Sequence, residues 1–346
     1  MHNRCIRLPM HSQSGSTSAA VQTGWTLHLV NGHDDALRAI ASESGAFLRR
    51  EAVAHGFDDR AIRRMVRAGN WTRVRHGAYV PTDAWPASTV EQHVIVVRAA
   101  MRTVEGVAAS HHSAAAMHGL DLWDTDLRLG HVTRIDGASG RTESGLVHHE
   151  ALSLGDELPQ VFGLPVMPPV RAALESASLS TVERGLVVVD SGLRAGLFTA
   201  QDLHDQHQLM SRWPGARHLQ VVTRLADGRS GSVGESRARF LFWARGIPAP
   251  ELQYEVYDHG RLVGITDFMW RLGSGRGLLG EFDGKVKYGR YLRPGEEPGD
   301  AVFREKRRED DLRRVTGWPM VRLTWSDLAA PERAAALVRS MLRQAA

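Results

Sequence analysis

Residues 261–287 read RLVGITDFMWRLGSGRGLLGEFDGKVK. Two runs rich in β-branched and aromatic residues flank a short Gly-rich connection, so they are expected to be neighbouring strands. A strand period of two places Glu281, Asp283 and Lys285 on one face, and brings Asp267 across the ladder from Glu281 or Asp283. Carboxylates gathered in this way repel one another unless a cation lies between them. Mg²⁺ is suited to the place because it takes one or two carboxylates together with water and phosphate oxygens. A lysine beside such an ion stabilises charge developing on a phosphate, a task for which the planar guanidinium of arginine is a poor substitute.

Outward from this stretch, 232–246 (SVGESRARFLFWARG) reads as a helix and 251–258 (ELQYEVYD) as a strand that turns at His259-Gly260. On the other side come a charged helix at 302–317 (VFREKRREDDLRRVTG), a strand at 320–325 (MVRLTW) and a closing helix. This is an α/β module with a helix between its later strands. Asp267 followed by Asp283-Gly284-Lys285 resembles the D…(D/E)xK signature of the PD-(D/E)XK nuclease superfamily, in the branch similar to very-short-patch-repair endonucleases. The resemblance spans about residues 230–330. It implies a restriction-endonuclease-like fold and Mg²⁺- or Mn²⁺-dependent phosphodiester hydrolysis, with Asp267, Glu281 and Asp283 as metal ligands, Lys285 as the catalytic lysine and Glu235 as an additional acid. Either Glu281 or Asp283 can be the middle acid; if it is Glu281, Asp283 takes the lysine slot and Lys285 lies one pair further on. Plainer readings exist for the same residues. Ser232 and Glu235 have capping-box spacing, Asp283-Gly284 suits a turn, and Arg307, Arg308, Arg313 and Arg314 alternate with Glu309, Asp310 and Asp311 as on a solvated helix face.

The other constellation lies near the front. Segments 33–45 (HDDALRAIASESG) and 48–56 (LRREAVAHG) read as short helices closed by glycine. A third helix starts at Asp58 as a cap and ends at Gly69. In it Arg60, Arg63, Arg64 and Arg67 fall at i, i+3, i+4 and i+7, opposite Ile62, Met65 and Val66. Then 71–80 (WTRVRHGAYV) alternates, which predicts a strand pair turning at His76-Gly77 with Arg73 and Arg75 on one face. Three helices and a basic hairpin predict a winged helix-turn-helix. Residues 60–76 hold six arginines and no acid, whereas a solvated face usually mixes signs, so DNA is the expected partner. With the later ASHHSAAAMHGL (109–120), this order is similar to the N-terminal and central regions of AbiEi-type antitoxins of type IV toxin–antitoxin systems, over about residues 33–225. The resemblance implies a regulator that binds its own operon, DNA contacts at Arg63, Arg64, Arg67, Arg73 and Arg75, and a cognate toxin as partner.

The chain has 346 residues, 42 % hydrophobic and 24 % charged, enough for two or three ordinary globular domains. The expected layout is a disordered tail (1–32), a winged helix (33–82), a mixed α/β central domain (83–227) and the nuclease-like domain (228–346), a multidomain α/β (α+β) chain. The boundary near 228 rests on the Gly/Ser-rich ADGRSGSVGES at 226–236. No window is apolar enough to span a membrane and the N-terminus lacks a signal-peptide apolar core, which leads to an expectation of a cytoplasmic protein. The single cysteine, Cys5, argues against disulfide scaffolds and cysteine-based zinc sites. Net charge is +4, and of 43 basic residues only Lys285, Lys287 and Lys306 are lysines. His111, His112, His118, His148, His149, His204 and His207 have no acidic or Cys partner at a familiar ligand spacing, so they read as packing or surface histidines.

Overall fold

The computed structural model of the chain describes residues 33–150, 157–213, 215–284 and 298–346. The tail expected at 1–32, Lys285 and Lys287 lie outside them. The chain divides after Ala87.

In the first unit, helix α1 (33–44) leads to strand β1 (Phe47–Leu48), helices α2 (Arg49–Ala54) and α3 (Asp59–Arg67), and a hairpin of β2 (Trp71–Arg75) and β3 (Ala78–Pro81). The sheet order is β1-β3-β2. Local chemistry sets these boundaries. The Asp58 carboxylate accepts from the Ala61 amide at 2.7 Å and caps α3, and Gly69 past its end has φ +76°, a conformation that costs glycine little. Leu37, Phe47, Phe57, Ile62 and Trp71 form the buried core, with Met65, Val66 and Tyr79 packed against it. Trp71 is its centre, with ring centroids 4.7 Å from Phe47 and 4.8 Å from Phe57. Its indole N–H donates to Asp34 at 3.1 Å, so the buried ring has no unpaired polar atom.

The second unit runs from Ser88 to Ala346. Helix α4 (Thr89–Met101), β4 (Val107–Ala109), α5 (His111–Met117), β5 (Gly130–Arg134), β6 (Arg141–Glu143) and β7 (Leu146–His149) come first. The four strands form a sheet of order β4-β5-β7-β6 in which β5 and β7 are parallel. A short ribbon of β8 (Gln160–Val161) and β9 (Leu164–Pro165) leads into helices α6 (Pro169–Ser178), α7 (Val182–Arg194), α8 (Ala200–Leu209) and α9 (Ala216–Leu225).

Helix α10 (Val233–Ala244) is followed by β10 (Glu251–Asp258), β11 (Arg261–Leu272), β12 (Arg276–Asp283), α11 (Pro298–Thr316), β13 (Met320–Thr324), α12 (Trp325–Leu328) and α13 (Pro331–Ala345). The sheet order is β10-β11-β12-β13, antiparallel up to β12 and parallel between β12 and β13. Strand alternation gives it two apolar faces. Phe268, Trp270, Leu278 and Phe282 pack with Phe242 of α10 and Val338 of α13, while Met269, Leu279 and Met320 pack with Leu312 of α11. Gly234 permits the close approach of α10, because a Cβ there would come within 1.9 Å of the Phe282 ring. The stretch near 228 joins α9 to α10, and ion pairs tie α10 to α7. Arg239 of α10 holds the fully buried Asp190 of α7 at 2.7 Å, and Arg237 holds Glu183 at 2.8 Å.

Candidate functional site

On α3, Ile62 is buried and Met65 and Val66 are half-buried, while Arg60, Arg63, Arg64 and Arg67 are exposed. Among the described residues these four guanidiniums make no ion pair or side-chain hydrogen bond. The acid nearest the helix start is engaged elsewhere: Asp59 pairs with Arg49 of α2 at 2.7 Å, which holds its carboxyl below the ordinary carboxylate range. The result is a stripe of four exposed guanidiniums, outside any ion pair among the described residues, on a helix whose other side is locked into the core.

One expectation for the hairpin needs correcting. Arg73 is paired with Tyr79 and Arg75 with Ala78, with a bulge between them. Tyr79 and Ala78 are consecutive and so point to opposite faces, and their partners do the same. Arg73 is exposed, 3.2 Å from His76; Arg75 is half-buried, and burial lowers its guanidinium from the ordinary value. Arg73 is exposed, as the α3 arginines are, and Arg75 does not share its face.

In the second unit, Glu281 and Asp283 share the face of β12 that is turned toward α11, as the spacing predicts. One step beyond the last paired residues, Phe268 and Gly280, Asp267 lies across from Glu281, and its carboxylate accepts from the Phe282 amide at 2.8 Å. The acids are met by arginines. Glu281, 6 % exposed, is paired with Arg308 of α11 and with Arg322 of β13 at 3.2 Å. Arg322 also reaches Glu309 at 2.7 Å and lies 3.9 Å from Asp283. Among the described residues, Asp267, Glu281 and Asp283 do not bring three oxygens within reach of one ion. In this arrangement two guanidiniums compensate Glu281, and one of them also lies near Asp283. Glu235 is buried at the start of α10, where its carboxylate accepts from the Gly231 amide at 2.7 Å, from Ser232 Oγ at 2.9 Å and from Gln253 at 3.0 Å. These bonds tie the start of α10 to the residues before it and to β10.

A third group was not legible in the sequence. His111 at the start of α5, His131 on β5 and His149 at the end of β7 converge, with ligand atoms all within 4.8 Å of one another. The His111 and His149 rings stack with centroids 3.7 Å apart, and His131 Nδ1 is 2.9 Å from His149 Nε2. Burial, reinforced by neighbouring imidazoles, pushes His111 well down, His131 to about 3 and His149 to about 4, so the rings are neutral at pH 7.

Comparison with known proteins finds a family match in the first unit. Residues 34–82 match the family model described as "Transcriptional regulator, AbiEi antitoxin". The matched segment covers α1 through the β2–β3 hairpin, and so includes the arginine stripe. Two Mycobacterium tuberculosis proteins, described as uncharacterized proteins MT2308 and Rv2248, are each 30 % identical to this chain over 162 residues. The alignment covers 46 % of this chain and 56 % of theirs, so the chain spans about half the length of the curated relatives it matches. Among solved structures, the Rv2827c protein of the same organism aligns over 64 % of this chain and 87 % of its own, with 15 % identity and a TM-score of 0.35. Likeness at that level establishes neither a shared fold nor a shared role. No helix among the described residues is long and apolar enough to cross a membrane.

Proposed function

We propose that this chain is a DNA-binding transcriptional regulator of the antitoxin kind, in which the first unit acts as a winged helix-turn-helix. The α3 face enters the major groove and the β2–β3 hairpin follows the backbone as a wing. The observation that carries this reading is the stripe of Arg60, Arg63, Arg64 and Arg67, exposed and outside any ion pair among the described residues, on a helix anchored by Ile62. The family match over the same residues supports it. A cognate toxin is the protein partner this reading implies. The test is a salt titration of duplex binding by the full-length protein beside the Arg63→Ala/Arg64→Ala/Arg67→Ala variant; equal slopes for the two proteins would refute it.

A second reading, in which the C-terminal sheet belongs to a phosphodiester-hydrolysing domain, is favoured by the β10-β11-β12-α11-β13 order and by the facing positions of Asp267 and Glu281. Lys285, which that reading needs, lies outside the described residues. Supercoiled plasmid incubated with Mg²⁺ or Mn²⁺ separates the two readings. The regulator reading expects wild type and Asp267→Asn to leave the plasmid equally intact. Cleavage by wild type that is lost in Asp267→Asn would establish the second.

A further inference from the structure

Nothing above gives a role to the three histidines gathered by α5, β5 and β7. We propose that His111, His131 and His149 form a site for one zinc-class transition-metal ion, held by three imidazoles with a further coordination position open to solvent. The three ligand atoms lie within 4.8 Å of one another. A tetrahedral zinc site with bonds of about 2.0–2.1 Å needs nitrogens roughly 3.3 Å apart. The His131–His149 pair, at 2.9 Å, is already that close, and the His111 ligand atom, within 4.8 Å of both, joins them when its ring turns out of its stack on His149.

The donor set selects the metal. Imidazole nitrogens suit zinc, copper, nickel and iron, whereas magnesium and calcium prefer the oxygen donors that are lacking within this trio. The surroundings then assign the ligand atom of His111. Its Nδ1 is 3.0 Å from Ser110 Oγ and 3.6 Å from Glu175 Oε2, and the other oxygen of Glu175 is held by Arg171 at 2.7 Å. A proton on Nδ1 satisfies that side and leaves Nε2 with a free lone pair, the arrangement by which carboxylates orient metal-binding histidines. His111 has φ +49°, unusual for a residue with a side chain. Its amide is nonetheless held by Glu175 at 3.1 Å, and such positions persist where the surrounding structure imposes them.

The strands complete the frame. β5 and β7 are parallel neighbours with His131 opposite Val147 and Thr133 opposite His149, so His131 and His149 are diagonal neighbours on one face of the sheet. The His131 amide donates to Ser113 Oγ at 2.7 Å, which ties β5 to α5. His111 is 7 % exposed while His131 and His149 are half-buried, so an ion held there would be reached from the side of the strands. The present hydrogen bond joins only two of the rings; a metal ion accepts a lone pair from all three.

The test uses the full-length protein without an affinity tag, stripped with EDTA, dialysed and titrated with Co²⁺ and then Zn²⁺. One Co²⁺ per chain should bind with the visible absorption of a four- or five-coordinate site, be displaced by one equivalent of Zn²⁺ and withstand millimolar Mg²⁺. The His131→Ala/His149→Ala variant should lose more affinity than the roughly 10–100-fold typical for removal of an outer partner, whereas His204→Ala, on the exposed side of α8, should bind as wild type does. X-ray absorption of the zinc-loaded wild type should show scattering from three imidazoles, a readout that does not depend on the variant folding. Equal binding by wild type and the double variant, or a zinc shell of oxygen donors only, would overturn the proposal.

Discussion

Arg322 on β13 lies directly across the parallel ladder from Glu281 on β12, with its Nη2 3.2 Å from the glutamate Oε2. With Arg308 on the other oxygen of Glu281, the fold answers crowded acids with guanidiniums. Arg322→Gln should therefore destabilise the protein by about 1.5–3 kcal/mol, the usual worth of a hydrogen bond to a charged group. Urea denaturation should show a lower midpoint with an unchanged slope. A midpoint equal to that of wild type would mean that Arg308 alone compensates Glu281.

The arginines of the first unit separate by face. Arg60, Arg63, Arg64, Arg67 and Arg73 offer up to five phosphate contacts, which predicts a log–log salt slope of about −4.5 at roughly −0.9 per contact. Arg63→Ala/Arg64→Ala/Arg67→Ala should remove about 2.7 of that slope, and Arg73→Ala about 0.9. Arg75→Ala should leave the slope alone, because the bulge turns it to the other face. Thermal melts of the triple variant should match wild type, since its three side chains are exposed.

Asp190 is fully buried against Arg239, between α7 and α10. Arg239→Leu leaves that carboxylate without its cation and should cost about 3–5 kcal/mol. Replacing both residues, as Asp190→Leu/Arg239→Leu, should recover a large part of the loss, since removing a buried pair together is often nearly neutral. A double variant as unstable as the single one would show that packing around the pair dominates, and chemical denaturation of the three proteins decides.

Stability should fall in acid through His93 and His118. Burial lowers both below the ordinary 6.5, although each ring also meets a backbone carbonyl, Leu127 and Met167 respectively. The unfolded chain therefore binds more protons than the folded one once the pH drops below about 6.5, and stability rises with pH up to that point and then levels off. Each ring contributes a slope of up to about 1.4 kcal/mol per pH unit within its window. The difference in melting temperature between wild type and His93→Gln should shrink as pH falls from 7 to 5; a constant difference would remove His93 from the titration.

Much of this was readable along the chain because the signals were local. The Asp58 cap, the Gly69 stop and the 3.6-residue spacing of the arginines settle α3 within a dozen residues, and no distant partner is needed to expose one face once Ile62 buries the other. The alternation of helix and strand after residue 232 likewise follows from local periodicity, as does the common face of Glu281 and Asp283.

What the sequence by itself determined was the helix and strand character of stretches such as α3 and β12 and which of their sides carry charge, since those depend on neighbours a few positions away. Only the tertiary structure decided what meets those sides. Arg308 and Arg322 reach Glu281 from 27 and 41 residues away, the bulge that parts Arg73 from Arg75 exists only in pairing with β3, and the histidine trio is assembled from one helix and two strands. Spacing along the chain cannot show such groups, because they form when chain packing brings distant residues within a few ångströms, a distance at which charge, hydrogen bonding and metal coordination act.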